Sequence, residues 1–370
     1  MKYSAPLAIL SRTTAVIALA LAGSAAPLAQ TVQEASVSQT AAQPLTVTAE
    51  GAIRRPVAPG IYEVAYSPAS KALYVASAEA TTGTQGGVIY KLDPETLQTI
   101  GLTHTNEKNF GLAVSPEGDS LYITNSLASG LSVMDTKTGS IKAHLKFTER
   151  SKDSSAYGPR QVIYDPGQKA LYVGGVGDPG IIWLVDAETL TVRATIPDAG
   201  KWVTGLLLDN ASGRLYAANG DGEVLVIDTR ENRIVERWTA GDGKPYLLLN
   251  LALDAKRHRL FATDNSKQKT VLAFDTRTGK VTGRLDIGDS LAIKYQPARD
   301  ELYVSHRVGG TVSVVDAATL RTTKTYALPP MPNSLLVGPD GKTLYVTIKT
   351  PPNKDYSASG AGSIARIDLP

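Results

Sequence analysis

A leucine followed by an aromatic residue recurs seven times in the 370-residue chain, and this repeat restricts the possible fold more than any other feature. The spacing is 42 to 50 residues, and the aromatic members are Tyr74, Tyr122, Tyr172, Tyr216, Phe261, Tyr303 and Tyr345. An apolar run ending in aspartate follows each copy, at Asp93, Asp135, Asp186, Asp228, Asp275, Asp316 and Asp368. A period of roughly 40 to 50 residues holding four short strands is typical of a β-propeller. The sequence therefore predicts an all-β fold, a seven-bladed β-propeller with four antiparallel strands per blade.

Residues 51–370 are predicted to form this propeller as one domain, because each blade packs on its neighbours and the core grows blade by blade. The last repeat ends at Asp368, which leaves no room for a fourth strand. Residues 52–57 precede the first inner strand just as the outer strand 233–238 precedes residues 249–253. We therefore expect an N-terminal strand to complete the last blade and close the ring.

The first 29 residues predict a secretory signal peptide, since Lys2 and Arg12 precede an apolar stretch at 15–22 that runs into small residues. That stretch is too short for a comfortable membrane span. Residues 30–50, rich in Gln, Thr, Ser and Ala, are predicted to be a flexible leader. The chain has no cysteine, which excludes disulfides, thiolate metal sites and a lipid-modified cysteine. We expect an exported, monomeric protein that is not embedded in a membrane and is periplasmic in a Gram-negative source.

The repeated aspartates and aromatic residues are interpreted as structural, because a catalytic residue is needed once and a turn or packing residue once per blade. The Gly-x-Gly-x-x-Gly pattern at 175–180 leads into a strand and not into a helix, so it predicts a hairpin loop. The four histidines lie in different repeats without paired ligand spacing. No catalytic residue, metal or cofactor is predicted.

Two loops between second and third strands are longer than their counterparts, at 79–87 and 349–362, and we expect both on the top rim. Residues that enter the inner strands converge on the central channel at that same face. Among them, Phe110, Trp202 and Tyr246 are predicted to be platforms on which bases stack.

Basic side chains accompany these rings, and Arg160, Lys201, Arg307 and Lys349 are predicted to contact phosphate. His306 and Asn333 complete the predicted set of ligand-binding residues. Alternatively, Phe110 and Trp202 plug the channel and the cations are a solvated rim. That reading is supported by the acidic residues predicted on the same face, Asp178, Asp221, Asp242 and Asp289.

Several segments make the chain resemble the YVTN-type propellers, over nearly all of residues 51–370. They are residues 62–67, 86–94, 204–206, 302–307, 332–335 and 340–346. The resemblance implies an exported, non-enzymatic propeller with affinity for DNA, in particular single-stranded DNA.

Two other functions stay open. Propellers often serve as protein-interaction platforms, which here would mean a partner in the cell envelope. Some propellers with similar repeats hydrolyse sugar lactones, and Glu63, Arg160, Asn250 and His306 are the polar candidates near the channel for that chemistry.

Overall fold

The computed structural model describes residues 46–47, 51–79 and 85–370. These residues form seven antiparallel sheets, which are the blades of a ring. Six blades are built from four consecutive strands, and the seventh from the last three strands and an N-terminal strand. The prediction of an all-β, seven-bladed propeller is confirmed. The predicted signal peptide and most of the predicted leader fall outside the described residues.

The strands follow the order expected for a propeller. Two strands precede the first blade, β1 (Thr46–Val47) and β2 (Ile53–Pro56). Blade 1 is β3 (Ile61–Ser67), β4 (Ala72–Ser77), β5 (Gly87–Leu92) and β6 (Thr99–Thr105). Blade 2 is β7 (Leu112–Val114), β8 (Ser120–Asn125), β9 (Gly130–Asp135) and β10 (Ile141–Lys146). Blade 3 is β11 (Gly158–Asp165), β12 (Ala170–Val176), β13 (Ile181–Asp186) and β14 (Val192–Ile196).

Blade 4 is β15 (Val203–Asp209), β16 (Arg214–Asn219), β17 (Val224–Asp228) and β18 (Arg233–Trp238). Blade 5 is β19 (Leu248–Asp254), β20 (Arg259–Asp264), β21 (Thr270–Asp275) and β22 (Val281–Asp286). Blade 6 is β23 (Ile293–Gln296), β24 (Glu301–His306), β25 (Thr311–Asp316) and β26 (Arg321–Ala327). Blade 7 is β27 (Met331–Val337), β28 (Thr343–Lys349) and β29 (Ser363–Asp368). Two short 3-10 turns, Ser126–Ala128 and Ala255–Arg257, interrupt the pattern.

The ring closes through the N-terminal strand. β2 pairs antiparallel with β29, with Arg55 opposite Ile364, and so supplies the outer strand that the C-terminal repeat lacks. This confirms the predicted closure. β1 extends the same sheet by pairing with β2, so the structure places a short strand within the segment predicted to be a flexible leader.

The repeated aromatic residue and the repeated aspartate belong to one contact between blades. Asp135 Oδ1 accepts hydrogen bonds from the backbone N–H groups of Lys137 and Thr138, which caps the turn between β9 and β10. The Tyr74 hydroxyl of blade 1 donates to the carbonyl of Thr136, the residue after that aspartate, at 2.7 Å. The same link joins three further pairs of blades, through Tyr122 to Ala187, Tyr172 to Thr229 and Tyr345 to Pro94. Both repeated residues are therefore structural, as predicted.

The hydrophobic core is divided among the interfaces between neighbouring blades. Each of seven clusters of buried side chains draws on two consecutive blades, and each includes the repeated aromatic residue of the first. Tyr172, for example, is buried with Leu206 and Leu215 of the next blade. Burial of this apolar surface, repeated around the ring, is the main stabilising contribution to such a fold.

A second set of hydrogen bonds fixes the inner ends of the blades around the channel. Thr347 Oγ1 accepts from the Ser334 N–H of its own blade at 3.0 Å and donates to the Tyr62 carbonyl of blade 1 at 2.7 Å. Thr124 bridges the Gly111 N–H and the Arg160 carbonyl in the same way. Thr263 and Ser305 make the equivalent bridges in blades 5 and 6.

Glycine is required where two blades approach most closely. A Cβ atom at Gly111 would lie 2.2 Å from the Arg160 carbonyl oxygen, which is well inside contact distance. The glycine-rich pattern at 175–180 lies in the hairpin between β12 and β13, as predicted. Within the described part of the chain, no helix is long and apolar enough to cross a bilayer.

Candidate binding site at the channel mouth

The inner strands of all seven blades line a central cavity of about 490 Å³. Its wall combines apolar side chains with polar groups, among them those of Glu63, Gln161, Asn250, Lys294 and Ser334. Three of these also tie neighbouring blades together. Gln161 accepts from the Leu206 N–H, Asn250 donates to the Leu291 carbonyl, and Glu63 accepts a long bond from the Leu112 N–H. The cavity wall is therefore held in place by its own polar residues.

An aromatic pair stands where this channel opens on the top face. The rings of Tyr62 and Phe110 lie 4.6 Å apart between centroids, inclined at 61°, and both are half-buried. The Lys349 ammonium lies over the Tyr62 ring, 3.5 Å from its centroid, which is a close cation–π contact. Blades 1, 2 and 7 thus meet through these three side chains.

Two arginines complete the group. Arg307 donates through Nε to Asn333 Oδ1 at 3.1 Å and through a second nitrogen to the same oxygen. Asn333 Nδ2 donates in turn to the Tyr62 carbonyl at 3.0 Å. Arg160, from blade 3, is exposed to the channel, and its guanidinium makes no hydrogen bond to any described residue. We call these six residues the mouth cluster: Tyr62, Phe110, Arg160, Arg307, Asn333 and Lys349.

The three cations of the mouth cluster stand close enough to affect one another. Burial, followed by the positive charges of Arg307 and Arg160, lowers the pKa of Lys349 from its usual 10.5 to about 7. Burial and then the charge of Arg160 lower the pKa of Arg307 to about 10. Guanidinium groups stay charged at neutral pH, whereas the lowered pKa of Lys349 lies near that pH. The mouth cluster is therefore a concentrated positive site.

No ion pair neutralises these three cations within the described part of the chain. The acids that influence them electrostatically are Glu63 and Asp289. Burial raises the pKa of Glu63, and the positive charge of Lys294 opposes that shift. The Asp289 carboxylate accepts from the backbone N–H groups of Val308 and Gly309. An anion from outside is the missing partner that such an arrangement favours.

Lys201 and Trp202 form a different contact group at the entry to blade 4. The Lys201 ammonium lies 4.5 Å from the centre of the Trp202 ring, and the backbone of Trp202 is left-handed, with φ of 57°. The Trp202 N–H donates to the Gly177 carbonyl and the Lys201 N–H donates to Asp221. No contact among the described residues joins this pair to the mouth cluster. The ring of Trp202 is half-buried and retains an accessible surface.

Tyr246 does not form the stacking platform that the sequence predicted. Its side chain is 7% exposed and belongs to the core between blades 4 and 5. Its hydroxyl donates to Asp242 and accepts from Arg284. The neighbouring Arg284 also packs against its ring, so neither end of the side chain is free to meet a base. Three consecutive apolar residues follow Tyr246, a local signal of burial that the sequence interpretation passed over.

His306 is likewise buried and not presented to a ligand. Its Nδ1 contacts the Asp289 carbonyl oxygen, and Nε2 is 2.9 Å from the Ser313 hydroxyl. Burial lowers the pKa of His306, which favours the neutral form of the ring. The side chain braces the loop that carries Arg307. With both nitrogens engaged, it is poorly placed to act as the general base of a lactonase.

Tyr62 is the member of the mouth cluster that sequence reasoning missed, although a signal for it was present. Phe110 and Arg160 lie 12 residues before the repeated aromatic residues of their blades, Tyr122 and Tyr172. Tyr62 lies 12 residues before Tyr74, and Asn333 is related to Tyr345 in the same way. Aligning the repeats on their aromatic residues therefore places these side chains at equivalent positions around the mouth.

Metal binding finds no support in the same region. No group of three or more histidine, aspartate or glutamate side chains suited to a metal ion occurs among residues 46–47, 51–79 and 85–370. The insertion at 349–362 is described and contains a short bridge between Pro352 and Ala358. Residues 80–84 of the other insertion are outside the described part of the chain, so the position of that whole insertion on the top rim stays a prediction.

Comparison with known proteins identifies the group to which this chain is related. No protein-family model matches the sequence. The protein YncE of Salmonella typhi is 39% identical over 327 residues, which cover 88% of this chain and 92% of YncE. YncE of Escherichia coli K12 is 38% identical over the same shares of the two chains. The chain belongs to the YncE family. The resemblance inferred from the repeats is confirmed.

More distant similarities agree with the fold. Antigen Lp49 of Leptospira interrogans is 24% identical over 289 residues, or 74% of this chain and 62% of the antigen. Among solved structures, a chain of hydrazine synthase from Kuenenia stuttgartiensis superposes with a TM-score of 0.65. That match covers 78% of this YncE-family chain and 92% of the synthase chain at 18% identity. At this level of identity the similarity concerns the propeller fold alone.

Proposed function

We propose that this protein binds single-stranded DNA, with the mouth cluster as the centre of the site and without catalysing a reaction on it. The observation that carries the proposal is the combination of three cations lacking an internal acidic partner with an aromatic pair at one mouth. Sequence-tolerant single-strand binders use this combination, since cations meet phosphates and bases stack on rings. The exposed guanidinium of Arg160 supplies a planar donor suited to phosphate oxygens.

The channel geometry favours single strands over duplex. The aromatic side chains of Tyr62 and Phe110 are half-buried near the central channel of the propeller and do not project from its surface. The stacked bases of a rigid duplex are inaccessible to such rings, whereas a single strand can direct an unstacked base toward the mouth. The predicted signal peptide supports an exported, periplasmic location for this binding.

The proposal is tested by fluorescence anisotropy of a labelled oligothymidine titrated with the protein at two salt concentrations. Phosphate contacts predict that the logarithm of the association constant falls as the logarithm of salt rises, with a slope of about −0.7 for each phosphate that the site neutralises. Arg307→Gln should weaken binding and reduce that slope. Lys324→Ala is the matched control, because Lys324 is an exposed cation on the outer strand β26. Equal losses in the two variants, or flat titrations at both salts, would overturn the proposal.

Aromatic variants determine how far the site extends from the channel. If bases stack at the mouth, Phe110→Ala weakens binding by about 1 to 3 kcal/mol. The same loss in Trp202→Ala would extend the site to the Lys201 and Trp202 pair. An unchanged affinity in Trp202→Ala confines the site to the mouth cluster and removes Trp202 from it.

A second candidate is a protein-interaction platform, and exposed apolar side chains on the top loops favour it. Val308 is 89% exposed, Tyr356 60% and Leu127 55%, each in a loop between the second and third strands of its blade. A photo-crosslinking residue at position 308 should then capture one discrete partner in intact cells, even after nuclease treatment. The same residue at position 324 is the control, and equal adducts at both positions would reject this candidate.

A further inference from the structure

The placement of the three cations in the mouth cluster indicates which phosphate of a DNA strand the cluster binds. Its cations come from three different blades: Arg160 from β11, Arg307 from the loop after β24, and Lys349 from the end of β28. Lys349 lies over the Tyr62 ring, and Arg307 is connected through Asn333 to the Tyr62 carbonyl. Arg160 is near enough to act electrostatically on both of these cations. A groove of cations follows a backbone of successive phosphates, whereas convergent cations concentrate their charge on one group.

From this convergence we infer that the mouth cluster recognises a terminal phosphomonoester, the charged end of a single strand, in preference to its internal phosphodiesters. This inference rests on the proposed function and specifies the part of the ligand that occupies the mouth. A phosphomonoester carries about −1.5 to −2 charges at neutral pH and three terminal oxygens. An internal phosphodiester carries one negative charge, so it gains less from the same three cations.

The free donors match such a group in number. The Arg160 guanidinium has no hydrogen-bonding partner among the described residues, so all of its N–H donors are available to a ligand. Arg307 uses two of its nitrogens on Asn333, which orients the side chain and leaves one nitrogen for a ligand. Lys349 lies over the Tyr62 ring with its ammonium donors unused. Three cationic side chains can therefore meet three phosphate oxygens.

The depth of the site also favours a strand end. Arg307 and Lys349 are both half-buried, and the exposed tip of Val308 stands beside Arg307 on the rim. An internal phosphate would need both flanking nucleotides to enter the mouth with it, whereas a terminal phosphate brings only one.

The experiment compares strands of one sequence and length that differ only at their ends: 5′-phosphorylated, 3′-phosphorylated, with two hydroxyl ends, and circularised. At least one phosphorylated strand should bind about tenfold more tightly than the hydroxyl and circular strands, the gain expected from one additional charge-assisted contact. Arg307→Gln and Arg160→Lys should each reduce this ratio. Lys324→Ala should preserve it, and thermal melting of each variant reports whether it is folded.

The outcomes separate this inference from the proposed function. Equal affinity for all four strands would overturn terminal recognition and leave single-strand binding in place. Failure of every strand to bind at low salt would overturn both. If thymidine monophosphate or inorganic phosphate competes as strongly as an unlabelled phosphorylated strand, the phosphomonoester site is supported and the role of the strand is rejected.

Discussion

Two clusters of basic side chains at opposite faces of the ring differ in how their charges are balanced. On the bottom face, Arg257 donates to both oxygens of Asp300, at 2.6 and 2.8 Å, and also contacts Asp254. Arg259 donates to the same Asp254 carboxylate at 2.8 Å. Two arginines thus meet two aspartates across blades 5 and 6. At the mouth cluster, three cations share no such partner among the described residues.

The difference separates a structural cluster from a binding site. Arginines paired with buried carboxylates are satisfied within the fold and stabilise its turns. Unpaired cations that are half-buried, as Arg307 and Lys349 are, cost stability because their desolvation is not offset, and they retain affinity for an external anion. The repeat architecture tolerates this cost, since each blade is held by its own core and by bridges to its neighbours.

Removing two mouth cations should have the largest effect on binding. The double variant Arg160→Ala/Arg307→Ala is expected to lose about a hundredfold or more in affinity for single-stranded DNA, because each charge-assisted contact contributes about 1.5 to 3 kcal/mol. Its thermal stability should not fall. The matched variant Arg257→Ala/Arg259→Ala should show the reverse, with lower stability and unchanged affinity. A similar loss of affinity in both double variants would contradict the assignment of DNA binding to the mouth cluster alone.

Asp254→Asn tests the paired cluster directly. Asp254 is 1% exposed, and its replacement leaves two arginines without their shared carboxylate, so we expect a loss of about 3 kcal/mol in the free energy of unfolding. Burial alone would raise the pKa of Asp254, but hydrogen bonds from Arg259 and Arg257 outweigh it and lower the pKa.

The direction of that pKa shift determines how the loss depends on pH. The stabilisation is fully present above the pKa of aspartate in the unfolded chain and is lost as pH falls through the lowered pKa of the folded protein. Urea denaturation of parent and variant should therefore converge in strong acid. A difference that stays constant with pH would contradict this account.

Thr347→Val tests the bridges that position the mouth. The substitution removes the hydroxyl shared by the Ser334 N–H and the Tyr62 carbonyl, both at the interface of blades 7 and 1. We expect a loss of about 1 to 3 kcal/mol in stability, measured by urea denaturation, because two polar groups lose a partner. Thr347→Ser keeps the hydroxyl and should retain most of the stability that Thr347→Val loses. If Thr347→Val is as stable as the parent, the bridge is not needed for closure.

Lys349→Met should give the smallest change, and it is a gain of stability. Burial lowers the pKa of Lys349 to about 7, so the unfolded chain holds this proton more tightly than the folded protein does. The destabilisation of the folded protein by the charged Lys349 is complete below that pKa and declines as pH rises toward 10.5. We expect the variant to be about 1 kcal/mol more stable than the parent near neutral pH. The gain should fade in alkaline solution.

Binding by the position-349 variants gives an independent check on this lysine. Only the protonated lysine attracts an anion, and its charged neighbours at the mouth, Arg160 and Arg307, keep their charge through this range. Affinity of the parent for DNA should therefore fall as pH rises past neutrality. Lys349→Arg should bind without this pH dependence. A parent whose affinity is constant across neutral pH would exclude Lys349 from the contact.

The repeat made most of the fold predictable. Leucine–aromatic pairs and aspartates at a regular spacing predict blades, turns and their number, because the same local contacts recur at every interface between blades. The missing outer strand after Asp368 predicted closure by the N-terminal segment for the same reason. Turn chemistry and alternating burial are local properties, and local properties can be inferred from sequence.

The candidate site was only partly predictable. Phe110, Arg160, Arg307, Asn333 and Lys349 meet as a group, whereas Lys201 and Trp202 form another. Composition alone could not show that the side chains of Tyr246 and His306 are buried. The apolar run after Tyr246 indicated burial, whereas the burial of His306 depends on its contact with the segment that carries Asp289. Tyr62 was missed since its partners, Lys349 and Asn333, are brought to it only when the last blade meets the first.

The sequence by itself determined the number of blades, the order of their strands and the residues that hold them together, because each of these follows from a pattern repeated at short range. Only the tertiary structure decided which cations have an acidic partner from another blade. Arg257 has Asp254 three residues before it, but its second partner, Asp300, and the lack of an acidic partner at Arg307 cannot be inferred from the local sequence. The closed ring gives one of them Asp300 and leaves the other facing Arg160, because ring closure brings side chains from distant blades to the same mouth.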